Sequence, residues 1–247
     1  EYPGTRRGRA GAGMVHTIVW RVRSEAALEF WRKRLASHDA NGRREGAEVR
    51  GEDPEGLAHA IVVDASGDPP LVAEHPEIPP EMALVGFDGV RVYGADPERS
   101  RHLLESVMGA RPVADHRWEL RGEHRGGTIA IEPAPANRGV PGAGTVHHVA
   151  WGTTVADHPR WLARLDELGV RNSGVIDRHY FHSIYFREPG GVLFELADDA
   201  PGFTVDSPVA ELGTRIILPP RFEPYRAEIE RRLTPLPDPR ASWPRAR

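Results

Sequence analysis

The feature that most constrains the fold is an internal repeat, because the last third of the chain is similar to its first third. Gly11–Trp20 has the sequence Gly-Ala-Gly-Met-Val-His-Thr-Ile-Val-Trp, and Gly142–Trp151 has Gly-Ala-Gly-Thr-Val-His-His-Val-Ala-Trp. A second match relates Glu52–Leu57 to Arg187–Val192. The two offsets, 131 and 135 residues, are nearly the same. Matches at nearly one offset indicate a duplicated structural unit rather than a chance motif.

The predicted secondary structure follows the same order in each part of the chain. Alternating β-branched residues predict a strand over Met14–Val22, and Ser24 is the predicted N-cap of a helix that ends near Ala36. Strand, helix and further strands recur twice more, which predicts three α+β modules of the order βαββ(β) and roughly 50–55 residues each. The predicted boundaries are a module at 1–67, a linker at 68–82, modules at 83–138 and 139–200, and a tail at 201–247.

The composition excludes several classes of function. The 247 residues carry a net charge of −4, so the chain lacks the basic excess of a general nucleic-acid-binding protein. No apolar stretch approaches the ~18 residues that a membrane span needs. The chain has no cysteine, which excludes disulfides, thiolate metal sites and a cysteine nucleophile. The lack of cysteine also fits a reducing compartment, so we expect a cytoplasmic location.

The third module contains a candidate metal-binding pair. His148 lies in the predicted strand Thr145–Gly152, and Glu195 interrupts the apolar predicted strand Val192–Ala197. An unpaired buried carboxylate costs on the order of several kcal/mol, and a divalent metal bound jointly with His148 would stabilise it. Either residue alone has an ordinary structural explanation, but here the two occur together in one repeat. Two histidines and one carboxylate with open positions suit non-haem Fe(II) or a similar ion.

The first two modules lack this pair. The positions that match the two candidate ligands carry Thr17 and Ala60 in the first module, and Gly89 replaces the histidine in the middle one. His16 therefore has no carboxylate at the matching place, although Glu132 ends the last strand of the middle module. We predict that the first two modules form a metal-free half.

Two segments of the third module form a motif. They are His147–Ala150 and Ile176–Ala197, and the part from Tyr185 to Glu195 is the most specific. The motif resembles the vicinal oxygen chelate superfamily of glyoxalases, bleomycin resistance proteins and extradiol dioxygenases. More narrowly, nearly the whole chain resembles ring-cleaving dioxygenases that act on hydroquinones. The resemblance implies an α+β fold of repeated βαβββ modules that form paired, cupped mixed sheets, with the present modules as the second, third and fourth of four.

The resemblance also implies roles for individual residues. His148 and Glu195 would be two metal ligands, and a histidine of a first module, which we expect this chain to lack, would be the third. The histidine, arginine and tyrosine that surround the metal ligands in this family correspond to His147, Arg178 and Tyr185. His147 or Tyr185 would move a proton, and Arg178 would hold an oxyanion.

The cofactor implied by the resemblance is Fe(II), with Mn(II) or another divalent metal as the alternative. A small aromatic diol and O2 are the implied partners, while neither nucleic acid nor a membrane is expected. His179 and His182 lie nearby in sequence, and we predict pocket-edge or structural roles for them. A homodimer is a further hypothesis, because modules from two chains would pair to complete a site.

Two other functions stay open. A glyoxalase-like isomerase or lyase would use the same metal without O2, so oxygen consumption separates it from a dioxygenase. A non-catalytic protein would use the sheet cup to bind a small molecule, and its ligand affinity would not depend on metal. The fold alone does not choose among these functions, because one fold hosts several.

Overall fold

In the computed structural model, three modules of the order βαβββ follow one another along the chain. The structure describes residues 5–235 and Ala241, and the remaining residues at both ends lie outside it. The strands are β1 (Met14–Val22), β2 (Arg43–Glu45), β3 (Glu48–Glu52), β4 (Ala58–Val63), β5 (Leu84–Gly94), β6 (Arg111–Ala114), β7 (Arg117–Arg121), β8 (Gly126–Pro133), β9 (Val149–Gly152), β10 (Ile176–Asp177), β11 (His182–Arg187) and β12 (Leu193–Ala197). The α-helices are α1 (Glu25–Ser37), α2 (Glu98–His102), α3 (His158–Glu167) and α4 (Arg226–Arg232).

The chain divides into two compact units. The larger unit comprises the described residues up to Val149 together with Arg187–Phe194. The smaller unit comprises Ala150–Phe186 together with the described residues from Glu195 onward. The predicted domain boundaries stay a prediction.

The first two modules of the larger unit form one mixed sheet of eight strands in the order β2-β3-β4-β1-β5-β8-β7-β6. Within each module, the first and last strands pair in parallel, β1 with β4 and β5 with β8. The antiparallel pair of β1 and β5 joins the modules at the centre of the sheet. The repeat in the sequence is therefore also a repeat of strand pairing.

Strand β1 and helix α1 show how the sequence builds the first module. Val15, Thr17 and Val19 are nearly inaccessible, whereas His16 and Ile18 between them are half-buried, as alternation requires. The Ser24 hydroxyl accepts a hydrogen bond from the Ala27 N–H at 3.2 Å, so it caps α1 as predicted. Ala27 and Leu28 then pack on the sheet in the core of this module.

A buried arginine connects the first residue of the predicted linker, Asp68, to this sheet. Arg21 is 2% exposed. Its guanidinium donates to Asp88 at 3.0 Å, to Asp68 at 2.8 Å, to Ser66 at 2.8 Å and to the Gly126 carbonyl at 2.9 Å. Since every donor group of the guanidinium has an acceptor, this charge is buried with its hydrogen bonds satisfied.

The structure differs from the prediction at several elements. The middle module was predicted to have one helix, but α2 is followed by a π-helical turn at Leu103–Val107. Strands β2 and β6 were not predicted, because their residues are all exposed and give no apolar pattern. The strand predicted from Thr145 begins only at Val149.

The third module contains a sheet whose four strands have the order β10-β11-β12-β9, with β10 and β11 antiparallel. Helix α3 precedes this group of β10 to β12 in the chain, as in the other modules. The predicted tail contains α4 and short 3-10 turns, and its residues after 235 lie outside the described part except for Ala241. Among the helices described, none has the length and apolar character needed to cross a membrane.

Candidate active site

The carboxylate of Glu195 is buried in β12, between apolar neighbours. Glu195 is 3% exposed, and Phe194 and Leu196 on either side of it are 0% and 1% exposed. Alternation along the strand turns these two neighbours to the opposite face from Glu195. Because a buried carboxylate requires hydrogen bonds or a compensating charge, Glu195 is the most informative side chain of this sheet.

Two hydroxyl groups of β11 hold the Glu195 carboxylate. The Tyr185 hydroxyl donates to Oε1 at 2.5 Å, and the Ser183 hydroxyl donates to the same oxygen. The two donors are two residues apart on β11, so their side chains lie on one face of the sheet. Tyr185 was a predicted site residue, whereas Ser183 was not, because a short polar residue between His182 and Ile184 gives no distinctive sequence signal.

Arg178 lies over the ring of Tyr185. Its guanidinium carbon is 5.1 Å from the ring centre, which is a cation–π arrangement. A tight turn brings it there, since the Arg178 N–H donates to the Phe181 carbonyl at 2.8 Å. His179 within this turn has a φ of +75°, a left-handed conformation that is uncommon for residues other than glycine. Within the smaller unit, Ser183 and Tyr185 therefore contact Glu195, and Arg178 contacts Tyr185.

The two histidines predicted at the pocket edge bind other carboxylates. His179 Nε2 is 3.0 Å from Asp206 Oδ2. His182 Nδ1 is 3.1 Å from Asp198 Oδ2, and the same oxygen is 3.0 Å from Nε2 of the buried His158. The strand that holds Tyr185 begins at His182, so His179 is in the turn before it.

The Asp198 carboxylate joins three elements of the smaller unit. It lies just after β12 and accepts from the backbone N–H groups of His182 and Ala200 at 3.0 and 3.1 Å, as well as from the two imidazoles. Burial opposes its ionisation, but these hydrogen bonds prevail and hold its pKa below the usual value. The local role of His182 is thus to fix the ends of β11 and β12.

His147 and His148 lie in the larger unit, directly before β9. Their Nδ1 atoms are 2.9 Å apart, and the rings meet edge to face with centres 5.2 Å apart. One Nδ1 must carry a proton and the other must accept it. His148 was predicted to lie within a strand, but the strand begins one residue later, at Val149.

A cavity of about 320 Å³ in the larger unit is bordered by both histidines. Arg187 and Val192 from the hairpin before β12 also line it. Glycine-rich loops form the remaining wall, and the Gly142–Thr145 turn is closed by a hydrogen bond from the Thr145 hydroxyl to the Gly142 carbonyl at 2.7 Å. This volume is at the lower end of the range of small-molecule sites.

The donor chemistry of His148 and Glu195 suits a divalent metal. An imidazole nitrogen and a carboxylate oxygen are two of the three donors of a 2-His-1-carboxylate site. His148 belongs to the larger unit and Glu195 to the smaller one. Within residues 5–235 and Ala241, no three His, Cys, Asp or Glu side chains come together as a metal site. The metal and its assignment to these two residues stay a prediction.

The first two modules, which we predicted to be metal-free, are crossed by ion pairs. Arg91 of β5 makes a two-pronged contact with Glu48 of β3, one N–H···O bond of which is 3.0 Å long. Arg50 donates to the same carboxylate at 2.6 Å. Burial opposes ionisation of Glu48, but the two guanidinium groups prevail and lower its pKa. Glu48 and Arg91 line a cavity of about 400 Å³ together with Thr128.

His16 has a carboxylate nearby, which corrects the prediction made from the repeat. Its Nε2 is 3.4 Å from Glu132 Oε2, and its ring stacks on Tyr93 with centres 3.9 Å apart. Burial, followed by the positive charges of Arg91 and Arg50, lowers the pKa of His16 from 6.5 to about 4. The carboxylate comes from the middle module, so comparing matching positions within one module could not find it.

The positions that match the candidate ligands are closed in the first two modules. Val19 pairs with Ala60, and Thr17 shares the face of Val19, so the matching positions lie on one face of two paired strands. Thr17 and Ala60 are 2% and 0% exposed. In the middle module, a Cβ at Gly89 would overlap the carbonyl oxygen of Thr128. A histidine therefore has no room at Gly89 without a shift of the backbone.

Known proteins share both sequence and fold with this chain. Residues 86–196 match the Glyoxalase/Bleomycin resistance protein/Dioxygenase superfamily. "Putative ring-cleaving dioxygenase MhqO" of Bacillus subtilis (strain 168) is 35% identical, over 95% of this chain and 77% of MhqO. "Chlorohydroquinone/hydroquinone 1,2-dioxygenase" of Sphingobium indicum (strain UT26S) is 25% identical, over 92% of this chain and 74% of that protein.

The solved structures agree with these sequence matches. The crystal structure of a "putative dioxygenase from Bacillus subtilis subsp. subtilis str. 168" has a TM-score of 0.84 to this chain. The two are 34% identical, over 95% of this chain and 77% of that one. The similarity confirms the predicted α+β fold class of repeated modules with mixed sheets.

Proposed function

Because the chain belongs to the glyoxalase/bleomycin resistance protein/dioxygenase superfamily, we propose that it is an Fe(II)-dependent, extradiol-type ring-cleaving dioxygenase. We take hydroquinone or catechol-like aromatics as its substrates, since the name of one relative specifies chlorohydroquinone and hydroquinone. The observation that carries the proposal is the buried Glu195 carboxylate, which Tyr185 holds from the neighbouring strand β11. A buried glutamate in an apolar strand costs free energy unless it is hydrogen-bonded or bound to a charged group, and a role as a metal ligand is consistent with that requirement.

We assign His148 and Glu195 to the metal, with Fe(II) as the first candidate and Mn(II) or another divalent ion as the alternative. When bound, such a metal supplies a Lewis-acid and redox centre for an aromatic diol and O2. The hydroxyl groups of Ser183 and Tyr185 donate to Glu195 and carry no net charge, so they orient the carboxylate without cancelling its negative charge. Both candidate donors are therefore suited to a dication.

The remaining site residues act on protons and charge. The Tyr185 hydroxyl, 2.5 Å from Glu195 Oε1, can hold or move a proton at that oxygen. Arg178 places a positive charge against the face of the Tyr185 ring, which suits a nearby oxyanion. His147 is exposed and shares a hydrogen bond with His148, so it can exchange a proton with solvent.

The test is a matched pair of glutamate variants in the full-length protein as its gene encodes it. Glu195→Gln keeps the shape of the side chain but removes the charge, and we expect metal binding more than about 100-fold weaker, since even outer partners of a ligand are typically worth 10–100-fold. Glu188→Gln is the control, because Glu188 is also buried and also accepts from a serine hydroxyl. Binding of Mn(II) is measured by calorimetry, and O2 uptake with hydroquinone by an oxygen electrode after anaerobic Fe(II) loading.

Each outcome has a defined meaning. Loss of metal binding and O2 uptake in Glu195→Gln but not in Glu188→Gln supports the proposal. Full metal occupancy in Glu195→Gln contradicts the ligand assignment. Metal-dependent conversion of substrate without O2 uptake identifies an isomerase or lyase, and metal-independent ligand binding without turnover identifies a binding protein.

Two parts of the proposal rest on sequence alone. A cytoplasmic location stays a prediction from the lack of cysteine. A homodimer also stays a prediction, and light scattering tests it, because a monomeric mass would contradict it.

A further inference from the structure

We propose that Ser183 is a positioning residue, which fixes the Glu195 carboxylate in the orientation that binds the metal. This inference rests on the proposed function, because it assumes that Glu195 is a ligand. Ser183 was not among the predicted site residues. Its hydroxyl nevertheless donates to the same carboxylate oxygen, Oε1, as the Tyr185 hydroxyl.

The position of Ser183 allows it to act only through its neighbours. Its residue is 0% exposed, as is Ile184 next to it on the other face of β11. A fully buried hydroxyl does not reach a substrate that arrives from solvent. Tyr185, by contrast, is half-buried and carries Arg178 on its ring, so its hydroxyl has a second set of neighbours. A substitution of Ser183 therefore tests the orientation of the Glu195 carboxylate, whereas a substitution of Tyr185 would also change the contact with Arg178.

Two donors on one oxygen restrict the carboxylate more than one donor does. A glutamate side chain has three rotatable bonds, and its last torsion has broad minima, so burial alone does not set the direction of its two oxygens. Hydrogen bonds from Ser183 and Tyr185 come from successive positions on one strand face and converge on Oε1. This convergence sets the plane of the carboxylate before a metal arrives, and outer partners of this kind orient ligands in metal sites.

The chain offers a matched control elsewhere. The Ser100 hydroxyl donates to the buried Glu188 carboxylate, and Ser100 is 1% exposed. Glu188 also accepts from the backbone N–H groups of Gly190 and Val192 at 2.7 and 2.9 Å, so it closes the turn before β12. Ser100→Ala thus removes a buried serine–glutamate hydrogen bond of the same chemistry as that between Ser183 and Glu195, but at a turn.

The experiment measures the Mn(II) dissociation constant of the full-length protein by calorimetry, without substrate or turnover. We expect Ser183→Ala to weaken binding by about 10- to 100-fold, and Ser100→Ala to leave it within about twofold. An unchanged Mn(II) affinity in folded Ser183→Ala overturns the inference. So does an equal loss in both variants, because that loss would follow from general destabilisation.

A second variant covers the case in which Ser183→Ala does not fold. Ser183→Cys keeps nearly the same shape but offers only a weak S–H donor. Weaker Mn(II) binding in Ser183→Cys supports the inference, and unchanged binding overturns it. Glu195→Gln separates the two proposals. If this variant binds Mn(II) as the wild type does, the ligand assignment fails. If it loses Mn(II) binding while the Ser183 variants keep it, only the role of Ser183 is overturned.

Discussion

The buried imidazole of His16 makes the stability of the larger unit depend on pH in a way that can be calculated. Its side chain is 11% exposed, and burial with the charges of Arg91 and Arg50 lowers its pKa from 6.5 to about 4. At pH values between these two, unfolding takes up a proton. The contribution of His16 is therefore constant above about pH 6.5 and is lost as the pH falls toward 4. At about 1.4 kcal/mol for each pKa unit, the wild type should lose about 3 kcal/mol between pH 7 and pH 4 from this group.

The comparison of wild type with His16→Gln isolates this effect. Glutamine keeps a polar side chain of similar reach but does not titrate, while the carboxylates that titrate in acid are the same in both proteins. Urea unfolding at a series of pH values gives the free energy of unfolding of each protein. We expect the difference between the two to change by about 3 kcal/mol from pH 7 to pH 4, in the direction that destabilises the wild type.

The proximity of Glu132 provides the outcome that would refute this reasoning. A carboxylate 3.4 Å from Nε2 favours the imidazolium, in opposition to burial and the two arginines. If NMR titration places the pKa of His16 at or above 6.5, the carboxylate outweighs them and the predicted loss of stability disappears. Glu132→Gln removes the opposing charge and should lower the pKa of His16 further.

Two further changes test the packing of the eight-stranded sheet. Arg21→Met removes a guanidinium that two buried aspartates share, although Asp68 keeps Arg121 and Asp88 keeps Arg117. It should lower the free energy of unfolding by about 1–3 kcal/mol in urea, and an unchanged free energy would contradict the buried network. Gly89→Ala forces a Cβ against the Thr128 carbonyl and should cost about 1–3 kcal/mol or more. Gly152→Ala is its control, since a Cβ there meets no atom within 4 Å, and equal thermal shifts in both would refute the steric argument.

The sequence predicted elements whose signals are local. Alternation defined β1 with the bounds that the structure has, and the Ser24 cap located the start of α1. Strands β2 and β6 have three and four residues, all exposed, at the two edges of the sheet. Pairing with a neighbouring strand creates such edge strands, and their own residues carry no trace of it.

The candidate site was predictable to the extent that it follows a motif. Glu195 stood out because it interrupts an apolar strand, whereas Tyr185 was predicted only through the family resemblance. The contact of Ser183 with Glu195 depends on how β11 and β12 align, which a short polar residue does not reveal. His16 and Glu132 come from different modules, so only the strand pairing at the centre of the sheet brings them within 3.4 Å.

The repeat gives a physical reason why the modules of one chain differ in chemistry. The fold sets two positions on one face of a parallel strand pair, and in the first module these carry Thr17 and Ala60, which offer no charged donor. In the first two modules, charged side chains pair with each other instead. The Arg91 guanidinium, for example, donates to the Glu48 carboxylate. The third module has His148 and Glu195 at the same repeat positions. Ion pairs between the first two modules thus stabilise their buried charges, whereas we propose that the donors of the third module bind a cation.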